Sequence, residues 1–112
     1  MRFILILLLA LSNAAFAKEM SVQDFVDIEI KVREITLDQL NEKVTGVETD
    51  RNYRQEITST YDSYGTTSGE HIRFSNQHQE EIKRWYIEYP EDKAHLNELQ
   101  KRFDDLVRQT GE

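Results

Sequence analysis

The sequence predicts an all-α protein, a small bundle of three to four helices. Three observations carry that reading. Apolar residues recur at three- and four-residue spacings through most of the chain after residue 17. Helix-capping residues stand at the segment boundaries. One proline and four glycines are all that interrupt 112 residues.

Residues 1–17 are set apart as a cleaved signal peptide, leaving 18–112 as a single helical domain. Fourteen of these 17 residues are apolar, against 29 of the remaining 95. Arg2 supplies a positive start, Phe3 to Leu11 an unbroken apolar run, and Ala15-Phe16-Ala17 small residues at −3 and −1 of a cleavage site. The run is too short to cross ~30 Å of hydrocarbon. The absence of cysteine rules out lipid attachment at that end.

The first helix is expected at about 22–44. Ser21 is its N-cap, with Asp24 a weak capping partner. Val26, Ile28, Ile30 and Val32 alternate with charged residues as a strand would. Ile35, Leu37, Leu40 and Val44 then abandon the alternation, the pattern outruns ordinary strands, and no second strand exists to pair with. On a helix these residues form a broad apolar face, wide enough for more than one neighbour. Gly46 is the expected C-cap.

The second helix is expected at about 51–64, with Asp50 as N-cap and Tyr53, Ile57, Tyr61 and Tyr64 as its stripe. Thr58, Ser59 and Thr60 weaken it. Thr67 and Glu70 form a capping box that opens the third, at about 68–89. Its stripe is His71, Phe74, His78, Ile82, Trp85 and Tyr89. Pro90 disfavours helical geometry at Tyr89 and suits the first turn of a fourth helix at about 91–109, with a kinked continuation as the alternative. That helix carries Leu96, Leu99, Phe103 and Leu106. Short connections imply antiparallel neighbours.

Composition excludes several functions. The formal net charge is −7, and −8 once Arg2 is lost with the leader. Such a chain repels nucleic acid phosphates and anionic lipid headgroups. Nucleic acid is therefore not an expected partner, nor is membrane insertion after signal cleavage. A cysteine-free chain holds no thiolate nucleophile, cysteine zinc site or iron–sulfur cluster. It also lacks disulfides to offset a small core, although Leu, Ile, Val and Phe make up only about 22% of residues 18–112. The leader points to export, to the periplasm first and to secretion second.

Chemistry is weakly signalled. There is no G-x-S-x-G elbow and no phosphate-cradling glycine loop. The adjacent carboxylates Glu80-Glu81, Glu91-Asp92 and Asp104-Asp105 point apart on a helix and read as solvated surface. The expectation is a non-catalytic protein without a cofactor. Two sets of residues remain. Trp85, Tyr86, Tyr89, Tyr61 and Tyr64 are an aromatic excess of the kind found at protein interfaces. The stripe turns Trp85 and Tyr89 inward and leaves Tyr86 at the rim. His71 and His78 lie two turns apart, too far to share one metal, but Glu81 stands three after His78 and His95 could join from the next helix. A protein partner or self-association is the first expectation, and a metal or small ligand on these histidines the alternative.

Overall fold

The computed structural model describes residues 20–111; the leader and its cleavage site lie outside them. The fold of the described residues is all-α, with five helices and no strand. They are α1 (Val22–Thr45), α2 (Tyr53–Ser63), α3 (Ser68–Gln77), α4 (Gln79–Glu88) and α5 (Pro90–Gly111).

Local chemistry sets most of the ends. The Ser21 hydroxyl accepts from the Asp24 amide at 3.0 Å. Gly46 closes α1 at φ 75, where its amide donates to the Glu42 carbonyl at 2.8 Å. A left-handed residue is what this cap requires, and glycine enters that region without a Cβ penalty. Asn52, not Asp50, caps α2, its side chain accepting from the Gln55 amide at 3.1 Å. The Glu42 carboxylate explains the shift: it accepts from the Thr49 amide at 2.7 Å and holds the loop against α1 for a further turn. The Thr67 hydroxyl accepts from the Glu70 amide at 3.2 Å, but the Glu70 carboxylate turns to Arg73 instead of completing the box.

The expected third helix is two helices. His78, at φ −124 and ψ 32, is the single residue between α3 and α4. Ser75, Asn76 and Gln77 precede it, and Ser and Asn side chains compete for backbone groups and favour ends over interiors. The break lets α4 turn across the N-terminal half of α1 instead of running past it.

α1 is the hub and packs against all four other helices, as its broad apolar face requires. α2 descends antiparallel to it, with the Arg51 guanidinium 2.8 Å from Asp38 and the Lys31 ammonium donating to the Tyr64 hydroxyl at 2.9 Å. α5 runs parallel to α1. Arg33 donates to Gln100 at 2.7 Å, and Thr36 shares a groove with Phe103, so register rises along both helices together. The reason is topological: α3 and α4 carry the chain across the base of α1, and α5 starts again from there. The core is Phe25, Val26, Ile28 and Leu37 of α1 with Leu96 and Leu99 of α5. Among the described residues, α2 and α4 contribute no fully buried side chain.

Candidate functional site: the aromatic elbow between α4 and α5

The turn from α4 into α5 gathers three of the five aromatics singled out above. Tyr89 is the one residue between the helices, at φ −124 and ψ 70. Pro90 follows as the first residue of α5, where its missing N–H is no loss. Trp85 braces the corner: its indole Nε1 donates to Asp92 Oδ2 at 2.9 Å, and its ring lies 4.2 Å from that of Tyr89. The Lys93 ammonium sits 5.1 Å from the centre of the Tyr86 ring. Burial, then the charge of Glu29, holds the Tyr86 hydroxyl above the ordinary tyrosine range.

Exposure at this corner departs from the expected arrangement at Tyr89. Trp85 and Tyr86 are half-buried, while Tyr89 is 40% exposed. Tyr89 leaves the stripe because the helix ends before it, so its side chain no longer follows the phase that would turn it inward. Beside it Ile87 is 78% exposed, the most exposed large apolar side chain among the described residues. Asp27 of α1 stands nearby, and its carboxyl is pushed up by burial and by the charges of Asp24 and Asp92, against the opposing pull of Lys31.

Tyr61 and Tyr64 are elsewhere, between α2 and the N-terminal half of α1. Tyr61 meets His71 edge-on at 5.7 Å, and burial raises its hydroxyl. Tyr64 is engaged by Lys31, through its hydroxyl and through its ring face at 5.0 Å. No aromatic contact joins these two tyrosines to the elbow among the described residues. Both are half-buried.

The histidines do not converge either. His71 is buried, stacked on Phe25 at 4.2 Å, with Nε2 3.2 Å from the Phe25 carbonyl and 3.6 Å from Glu29. His78 stacks on Phe74 at 4.2 Å and pairs with Glu81 at 2.8 Å. His95 lies 3.6 Å from Glu34. Each has its own carboxylate neighbour, and among the described residues no three His, Asp or Glu side chains come together as a metal site.

No family model, curated protein or solved structure matches this chain. The elbow is therefore read from its own geometry. Sequence reasoning passed over Ile87, Asp92 and Lys93 as site residues. Part of the signal was Pro90: a helix that must end at Glu88 releases Tyr89 from the stripe and brings Asp92 back over Trp85, while Ile87, two residues after Trp85, lies on the opposite face of α4.

Proposed function

We propose that the protein is an exported, non-catalytic interaction module that docks a protein partner on the elbow between α4 and α5. The observation that carries this reading is the pair of exposed side chains, Ile87 and Tyr89, on a corner held rigid by Pro90 and the Trp85–Asp92 hydrogen bond. Large apolar and aromatic groups on a preorganised support lose little entropy on binding and form the centres of interfaces. The apolar leader supports export. Among the described residues no helix is long and apolar enough to cross a membrane.

The test is a photo-crosslinking residue placed at position 87 in cells making the protein with its own leader. A discrete adduct is expected there and not from position 47, where Val47 is also exposed but lies on the α1–α2 loop. Tyr89→Ala should weaken the adduct and leave the melting temperature nearly unchanged. Equal labelling from positions 87 and 47, or none from either, would overturn the reading.

A further inference from the structure

We propose that α4 and α5 can be exchanged between two copies of this chain, with His78 as the hinge. This inference does not rest on the partner-docking reading above.

The amphipathic stripe of residues 71–89 runs through His78 without a change of phase, yet the backbone bends there. The bend is confined to one residue. The His78 amide still donates to the Phe74 carbonyl at 2.9 Å, and the Ile82 amide to the His78 carbonyl at 3.0 Å, both at helical spacing. Between these two bonds Gln79, Glu80 and Glu81 form the first turn of α4, whose amides have no acceptor within that helix, and no side chain caps it. Straightening the joint would give all three the acceptors they lack, the carbonyls of Ser75, Asn76 and Gln77. The side-chain contacts at the joint do not oppose this. His78 touches Phe74 four residues back and Glu81 three residues on, and both pairs are neighbours on a continuous helix.

The neighbouring joint is built differently. Tyr89 has the same φ of −124 as His78, but Pro90 follows it and forbids a continuous helix. The chain thus has one locked corner and one convertible corner, and the rigid unit between the convertible corner and the C-terminus is α4–α5. What holds the bend closed is the packing of that unit on α1, through Leu96, Leu99 and the half-buried Trp85 and Tyr86. A second copy presents the same α1 surface. If each chain straightens at His78 and lays its α4–α5 on the other's α1, every contact of α4–α5 with α1 is re-formed between chains. Three backbone hydrogen bonds are added per chain, and a closed two-fold dimer results. The single chain prevails when dilute because its own α1 is always at hand.

The experiment uses the protein made with its own leader and purified as the cell leaves it. Size-exclusion chromatography with light scattering follows refolding across a concentration series. The expected result is a dimer that grows with concentration. Gln79→Pro, which cannot continue a helix and moves the first joint toward the geometry of the second, should lower dimer association by more than about a hundredfold. His78→Ala should raise it roughly five- to tenfold, because alanine favours the straight helix. Should Gln79→Pro fail to fold, His78→Gly takes its place and should lower the dimer fraction.

Topology is read from the double variant R33C/Q100C, since Arg33 and Gln100 touch across α1 and α5 and the natural chain has no cysteine. A short thiol-to-thiol linker should join two chains in the dimer peak and close single chains in the monomer peak. Internally closed chains in the dimer peak would overturn the proposal, as would a chain that stays monomeric in both the wild type and His78→Ala.

Discussion

Replacing Leu99 by Ala tests how closed the core is. Leu99 is 3% exposed and packs α5 onto α1. The substitution removes three carbons, worth about 0.8 kcal/mol each, or roughly 2.4 kcal/mol of lost transfer energy. The cavity left behind normally adds to that figure and carries such changes to ~5 kcal/mol. Here the addition should be small. Leu99 also lines an open groove of about 200 Å³ with Arg33, Thr36, Gln100 and Phe103, so the vacated space joins a region water already reaches. The expected loss is therefore about 2–3 kcal/mol, and about 10–20 °C in Tm for a domain of this size. Ile28, at 0% exposure on α1, is the control. Ile28→Ala opens a closed void and should cost roughly 4 kcal/mol or unfold the chain. Urea unfolding followed by circular dichroism and by Trp85 fluorescence measures both variants. Equal losses at the two positions, or a loss below about 1 kcal/mol for Leu99→Ala, would refute this account of the core.

Other outcomes follow from single contacts. Asp92→Ala leaves the half-buried Trp85 indole without its acceptor and should cost about 1 kcal/mol, whereas Asp92→Asn keeps an acceptor and should recover most of it; chemical denaturation distinguishes the two. The Asp27 carboxyl is pushed up by burial, so the folded state holds its proton more tightly than the unfolded state does, and Asp27 withdraws stability as pH rises through that range. Asp27→Asn should accordingly raise Tm at pH 7 and lose its advantage below the ordinary aspartate range, where the carboxyl is protonated in both states; melting across pH reads the crossover. Gly46→Ala forces a side chain into φ 75 with no steric contact within 4 Å, so the loss is purely conformational, roughly 1 kcal/mol, and Gly46→Asn should cost less.

The site was only partly legible. Pro90 announced a corner, and the run Trp85-Tyr86-Ile87-Glu88-Tyr89 announced more apolar surface than one helix face can bury. Which of these side chains would be left exposed depended on where the helix ended. The stripe, extrapolated one residue too far, turned Tyr89 inward. Tyr61 and Tyr64 looked like the same kind of residue, and no spacing could have placed them apart from the elbow, beside His71 and Lys31. The histidines illustrate the same limit: each met a carboxylate, but Glu29 and Glu34 lie on α1, dozens of residues from His71 and His95.

The all-helical class, three of the five helix starts and the corner at Pro90 are legible in the sequence alone. These features depend on groups within four residues of one another: a hydroxyl and an amide three apart at Ser21 and Thr67, a glycine able to adopt positive φ at position 46, a ring that removes an N–H at position 90. Long-range packing decided where the third segment breaks, the parallel run of α5 along α1, and the exposure of Tyr89. Ser75 and Asn76 weaken a continuous helix from 68 to 89 but do not by themselves place a break in it. What favours the bend is the apolar face of α1, against which the turned-back α5 buries Leu96 and Leu99. That gain lies in contacts as distant as Arg33 with Gln100, 67 residues apart, and no local pattern records it.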